Sequence, residues 1–319
     1  IPLGHRFVLA LYAAIFLLGL LGNVSVLAVT AAELRRTVNA VWFSHLAVAD
    51  LLTCLALPFL ALPLLTDHHW PLGQLACKLL PSLTVLAMFS SVLLLTAISA
   101  DRYLLVASPV WCHNRRTPAL ANAACAAAWL LAAALTAPSL AFRTVRRDSF
   151  SSKITCVMSY QAVRQHQRGA ELSTALARFL CGFLGPLAVI SACYGRLLCR
   201  VKARGLGRSQ KATRTVLVVV ISFFVCWAPY HAVGLVTAAS APDTAVYRRA
   251  HAADPAVAGL AYVNGCVNPG IYLVMGRGLG QVRRSWRALL KGVLSDDPTS
   301  AAGDGRGRSA VTAEEGSEG

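Results

Sequence analysis

Seven apolar stretches, each about 20 residues or longer, divide the chain, and that is the length a helix needs to cross the hydrocarbon core of a bilayer. They run roughly from Phe7 to Thr30, Asn39 to Leu64, Ala76 to Val106, Ala119 to Ala141, Leu172 to Leu198, Thr215 to Ala239 and Ala256 to Met275. With 56% of residues hydrophobic and only 14% charged, the chain is too apolar for a soluble domain of its size. The predicted fold class is an all-α membrane protein, a seven-transmembrane helix bundle, because only helices or closed barrels satisfy every backbone polar group in lipid. No repeat, linker or second domain interrupts the pattern.

Lysine and arginine set the predicted orientation. Arg35 and Arg36 follow span one, Arg115 and Arg116 follow span three, and Arg196, Arg200, Lys202, Arg204, Arg208, Lys211 and Arg214 join spans five and six. Arg277, Arg283, Arg284, Arg287 and Lys291 follow span seven. The positive-inside rule then places these loops and the C-terminus in the cytoplasm and the N-terminus outside, as expected of a multi-pass protein of the cell membrane. A net charge of +16 raises the question of nucleic acid. The basic residues sit beside membrane spans, however, where they face anionic lipid or a cytoplasmic partner, so no nucleic-acid partner is expected. The chain has no initiator methionine and no signal peptide, and an extracellular leader is expected to have preceded Ile1.

Beyond span seven, Leu279, Val282, Trp286, Leu289, Leu290 and Val293 recur at helical spacing with basic residues between them. This predicts an amphipathic helix lying on the membrane surface. Trp286 and the basic stripe would anchor it, since no cysteine follows Cys266 to carry a palmitoyl chain. The receptor domain thus covers 1–293, and residues 294–319, poor in anything apolar, are expected to be a disordered cytoplasmic tail. Ser295, Thr299, Ser300, Ser309, Thr312 and Ser317 lie there near acids as candidate phosphorylation sites.

Of the ten cysteines, six fall inside spans as small packed hydrophobes. Cys77 opens span three on the outer side and Cys156 lies in the outer loop between spans four and five, where an oxidising compartment allows a disulfide. The Asn23-Val24-Ser25 triplet matches a glycosylation signal but lies mid-membrane, where no glycan is accommodated.

A carboxylate at the bilayer centre costs about 2.5–3.5 kcal/mol on insertion scales, so Asp50 needs partners. Asn23, Ser91, Asn264 and Asn268 stand at similar depth. Two readings are open: an allosteric sodium ion among the oxygens of Asp50, Ser91, Asn264 and Asn268, or a hydrogen-bonded network without metal. No other cofactor is expected. The lone buried Asp50 offers neither a nucleophile with a base nor a carboxylate pair, so enzymatic activity is not expected. A retinal protein would need a Schiff-base lysine in span seven, and none stands there.

Span three ends Asp101-Arg102-Tyr103, span six carries Phe223-Phe224-Val225-Cys226-Trp227-Ala228-Pro229-Tyr230, and span seven ends Asn268-Pro269-Gly270-Ile271-Tyr272. Together with Asn23, Asp50, Trp129 and Pro186, in this order, these segments closely resemble the rhodopsin-like G-protein-coupled receptors. The resemblance implies a seven-helix receptor with a heterotrimeric G protein, arrestin and receptor kinases as partners. It implies an activation switch built on Asp101, Arg102, Tyr103, Tyr194, Phe223, Trp227, Pro229, Asn268, Pro269 and Tyr272. Pro229 and Pro269 break helix hydrogen bonding and make hinges. No acid occurs from Tyr194 to Pro242, and Ser209 and Thr213 stand where some relatives place one. The resting state is therefore expected to rest on the Asp101–Arg102 pair and apolar packing, with Tyr194 and Tyr272 positioned to meet Arg102.

Further strings, His68-His69-Trp70-Pro71-Leu72-Gly73, Pro109-Val110-Trp111-Cys112 and Leu289-Leu290-Lys291-Gly292-Val293-Leu294 among them, resemble the receptors for complement anaphylatoxins and chemotactic peptides. That likeness implies a peptide or protein ligand whose C-terminal arginine enters the bundle. Basic residues take its carboxylate and an acid its guanidinium, and the matching positions are Arg143, Arg178 and Asp254, with Glu171 and Tyr230 lining the same cavity. For Arg143, beside Arg146 and Arg147, a solvated loop charge is an open alternative. The outer loop with Arg146, Arg147, Lys153, Arg164 and Arg168 is basic, and Ser159 stands where an acid is expected. A non-signalling scavenger of the same group is a further alternative, against which the intact Asp101-Arg102-Tyr103 speaks.

Overall fold

Threonine and proline start the shorter-looped helices. Thr37 and Thr117 cap the helices that follow, their hydroxyl oxygens accepting from the amides of Ala40 and Leu120 at 3.1 and 3.2 Å. Pro118 then occupies the first turn, where its missing N–H leaves nothing unsatisfied. The computed structural model describes residues 3–33, 37–147, 152–161, 166–204 and 210–276. Its elements are α1 (Leu3–Glu33), α2 (Val38–Leu60), α3 (Leu62–Leu65), α4 (Gly73–Ala107), α5 (Pro109–Arg115), α6 (Pro118–Phe142), β1 (Arg143–Arg147), β2 (Ile154–Met158), α7 (Gln167–Phe179), α8 (Gly185–Arg204), α9 (Gln210–Ala239) and α10 (Ala245–Gly276). Spans one to four are α1, α2, α4 and α6, span five is α7 running on into α8, and spans six and seven are α9 and α10.

Among the described residues, six spans are long and apolar enough to cross a membrane by length and composition. The seventh, α10, has Arg248, Arg249 and Asp254 in its first turns and closes the bundle by packing between spans six and one. The helices carry large exposed apolar side chains such as Leu18, Leu130 and Val225, which a water-soluble bundle would bury. Span three is the central post. Its Met88, Phe89, Val92, Leu94, Leu95 and Ile98 are each no more than 2% exposed and contact several helices at once.

Three departures from the sequence expectation have local causes. Span seven begins at Ala245 and not Ala256, since Pro255 continues a helix whose first turns are polar and therefore escape a hydropathy window. Span five holds a π turn over Leu180–Leu184, directly before Pro186. Proline has no N–H for the carbonyl one turn back, and the widened turn absorbs the mismatch. Gly185 permits it: a β-carbon there would stand 2.9 Å from the Leu180 carbonyl oxygen. Third, the outer loop between spans four and five is a hairpin, with Val145 paired to Cys156 in antiparallel register.

Cys156 is disulfide-bonded to Cys77, with Cα atoms 5.5 Å apart, which ties the hairpin to the outer end of span three. The loop before span three adds hydrogen bonds. The Trp70 amide donates to the Ile154 carbonyl at 2.7 Å, and Gln74 Oε1 accepts from the Val145 amide at 2.8 Å. Lys153 also pairs with Asp67, whose carboxyl it holds below the usual carboxylate range. Closing a loop with a sequence separation of 79 is worth about 4.5 kcal/mol in the chain-entropy account. Cys77→Ser is expected to reduce surface expression and ligand binding together, measured by surface labelling and saturation binding. Full binding by a well-expressed variant would contradict a role for the bridge in holding the hairpin over the cavity.

Candidate functional site

The chemistry-bearing residues fall into three clusters stacked along the bundle. At the outer end, Arg143 leaves span four with its side chain turned inward, while Arg146 and Arg147 face solvent. Its Nε is buried, and its electrostatic neighbours are Tyr230, Arg178, Tyr262 and Asp254, from spans five, six and seven. Burial pulls its pKa below the ordinary guanidinium value. The alternative of a solvated loop charge is thus corrected for Arg143. Arg178, two residues before the π segment, donates from Nη1 to the Tyr230 hydroxyl at 3.2 Å. Asp254 forms no ion pair among the described residues, although Arg143 and Arg178 both lie within electrostatic reach. Glu171 sits higher, beside Arg168 at the outer end of span five, and is the member least engaged with the others.

Two cavity residues escaped the sequence reading. Tyr160, just past the hairpin, packs its ring 4.7 Å from that of Phe142 and lies in the field of Arg178, Glu171 and Arg143; burial pushes its hydroxyl pKa up. His231 is 4% exposed among the rings of Phe183 and Tyr230, at 5.3 and 5.7 Å, with its Nε2 buried and unpartnered. Neither belongs to a motif. From Tyr230 a run of rings descends through Trp227 at 5.5 Å to Phe223 at 5.9 Å, joining the outer polar cluster to the core of span six below Pro229.

The middle cluster centres on Asp50, 2% exposed. Asn268 Nδ2 donates to its Oδ2 at 2.7 Å, while the Oδ1 atoms of Asn268 and Asn264 are buried without a partner. Oxygens orphaned beside a carboxylate fit a small hard cation. Ser91 is buried in span three. Asn23 is not a partner of Asp50, a correction to the sequence reading: its Nδ2 donates to the carbonyls of Gly265 at 2.7 Å and Gly19 at 2.9 Å. Gly265 is the residue whose carbonyl Pro269 leaves unpaired, so span one completes the hydrogen bonding of the bend in span seven. Close approach there requires glycine, since a β-carbon on Gly22 would stand 2.7 Å from Pro269 Cβ.

At the inner end the expected pair gains a further cation. Asp101 takes Arg116 as a bidentate partner, at 2.7 and 3.0 Å, and Arg102 stands 3.9 Å from the same carboxylate. Arg102, 3% exposed, also donates to Asn39 Oδ1 of span two, which accepts in addition from Arg116 at 3.1 Å. Asn39, Asp101, Arg102 and Arg116 thus meet in one node, in which the Asp101–Arg102 pair expected from the sequence is present at 3.9 Å and Arg116 is the closer partner of the carboxylate. The fork of a guanidinium matches a carboxylate at two points, and Arg116 has the better approach because the short helix α5 delivers it from the side. Tyr103 lies under Arg200, whose Cζ is 5.8 Å from the ring centroid. Tyr194 is buried within reach of Arg102. The side chains of Tyr272 and Thr213, Ser209, and everything beyond Gly276, including the Trp286 helix and the tail, lie outside the described residues.

Comparison with known proteins gives consistent results. Residues 22–272 match the family described as 7 transmembrane receptor (rhodopsin family). The chain is 47% identical over 306 residues to the C5a anaphylatoxin chemotactic receptor 1 of Oryctolagus cuniculus, covering 95% of this chain and 86% of the relative. It is 44% identical over 290 residues to the Homo sapiens receptor of the same name, covering 91% and 82%.

Proposed function

Because the chain belongs to the rhodopsin family of seven-transmembrane receptors, we propose that it is a G-protein-coupled receptor for a C5a-type anaphylatoxin. Its N-terminus is outside the cell, and it drives chemotactic and inflammatory signalling through a Gi-type G protein. The observation that carries the ligand reading is the convergence of Arg143, the Arg178–Tyr230 hydrogen bond and Asp254 in one outer cavity. Two guanidiniums and one carboxylate there complement a peptide ending in arginine, whose carboxylate and side chain carry opposite charges a few bonds apart. The names of the relatives above support the same reading. Arrestin and receptor kinases acting on the tail, anionic lipid at the inner surface and a sodium ion at Asp50 complete the proposal.

Expression of the parent protein in cells, with calcium and cyclic-nucleotide responses read against C5a, the component-three anaphylatoxin, chemerin and formyl peptides, tests it. C5a is expected to act at the lowest concentration, with the response abolished by Gi inhibition. The exposed Arg146 and Arg147 of the hairpin favour a second reading, a less cationic chemotactic peptide. A response to chemerin or formyl peptide alone would select it, and binding without any response would select a scavenger.

A further inference from the structure

A groove of about 530 Å³ runs along the inner third of the bundle between spans three and five, lined by Tyr103, Ala192, Gly195, Arg196, Cys199 and Arg200. Positions 192, 195, 196, 199 and 200 share one face of α8, spaced three and four residues apart. Ala192, Gly195, Arg196 and Cys199 are exposed on it, while Tyr194 and Leu197 between them point into the core. Leu184, Val189 and Leu198 are bulky exposed residues elsewhere along span five. The trough exists because residues 192 and 195 are small: a β-carbon on Gly195 would meet nothing within 4 Å.

The chemistry of the groove changes along its length. The Ala192 end is apolar, and Arg196 and Arg200 follow about 6 and 12 Å further along the helix, from a rise of about 1.5 Å per residue. Arg200 is fixed in place, donating to the Ala107 carbonyl at 3.0 Å and lying over the Tyr103 ring. That leaves four of its five N–H groups for a ligand. Arg196 makes no hydrogen bond or ion pair among the described residues. A partly preorganised pair of guanidiniums at the boundary of an apolar trough, on the lipid-facing side of the bundle, matches an amphiphile with an anionic phosphate head.

We propose that this groove holds one anionic phospholipid, its phosphate between Arg196 and Arg200 and an acyl chain along Ala192 and Gly195. The occupant enters through the hydrocarbon, so its identity as a lipid follows from where the groove opens; the leaflet that supplies it rests on the orientation proposed above. Bound there, it bridges spans three and five beside the Arg102 node.

The test uses the full-length receptor in phosphatidylcholine nanodiscs containing a small fraction of phosphatidylserine with a photoactivatable acyl chain, followed by peptide mapping. Labelling is expected to concentrate on segments 192–200 and 103–107 and to fall several-fold in Arg196→Gln with Arg200→Gln. It should fall comparably in Ala192→Leu with Gly195→Leu, which fills the trough and leaves the charge intact. Unlabelled phosphatidylserine should compete, whereas soluble glycerophosphoserine should not. Arg196→Gln alone removes no internal contact and keeps the test valid if a double variant fails to fold. Equal labelling by photoactivatable phosphatidylcholine, labelling unchanged by the filled trough, or label spread over all helices overturns the site. None of these readouts depends on ligand or G protein, so a failure here is distinguishable from failure of the proposed receptor function.

Discussion

Arg102→Ala is expected to bring agonist-driven nucleotide exchange on the G protein down to background while leaving ligand affinity within about twofold. From Cys77 at the outer end of span three, Arg102 lies 25 residues down the helix, about 37 Å. At that separation Arg102 shares no partner with the residues of the outer cavity, the condition under which effects at two sites stay independent to within roughly 0.3–0.5 kcal/mol. The fold should survive, because Asp101 keeps its bidentate partner Arg116 when Arg102 is gone. Radioligand binding and nucleotide exchange on the same membranes separate the two effects, and exchange at parental levels would contradict the switch assignment. A companion variant probes the node itself. Arg116→Gln removes the cation that Asp101 prefers and leaves Arg102, 3.9 Å away, as its nearest partner. That pair should tighten and shift the agonist response to higher concentration.

Asp254→Arg is expected to lower the potency of an arginine-terminated ligand on the order of 100-fold, the scale of a few kcal/mol for a desolvated charge pair replaced by repulsion. Asp254 is the acid in the outer cavity that lies within reach of Arg143 and Arg178, and reversing it leaves the ligand's guanidinium facing three cations. The reciprocal change tests the contact directly. A ligand peptide with its terminal arginine replaced by aspartate should be weak on the parent receptor and regain potency on Asp254→Arg, the coupling a double-mutant cycle isolates. Loss of recovery, together with an Arg178→Ala variant that treats the free and amidated peptides alike, would remove the anaphylatoxin reading of this cavity.

Features written in hydropathy or in a contiguous motif were legible in the sequence. Six spans, the Cys77–Cys156 bridge and the Asp50–Asn268 contact stand where composition and spacing put them. What escaped is set by partners distant in sequence or by backbone geometry. Arg116 reads as one more positive-inside residue until α5 turns it toward Asp101. Asn23 reads as a mate for a buried carboxylate, yet the stronger claim on it comes from the Gly265 carbonyl that Pro269, in the last span, leaves unpaired. The first turns of α10 are polar because they stand at the outer rim, so a search for apolar runs passes over them. Hydropathy also cannot distinguish a histidine packed among rings, as His231 is, from one in a loop.

A proline in a lone helix makes a slack joint, because the carbonyl it orphans is free to seek any donor as the two halves swing. In this receptor the donor is fixed: Asn23 is held at 2.9 Å by the Gly19 carbonyl of its own helix while it serves Gly265 at 2.7 Å. Gly22 lets the two backbones close to contact at Pro269. The stiffness of span seven's bend therefore belongs to a two-helix unit, with span one acting as the outer race of a bearing whose pin is Pro269. Variation in residues 19–23 would tune how readily the inner half of span seven pivots without touching any residue that meets ligand or G protein.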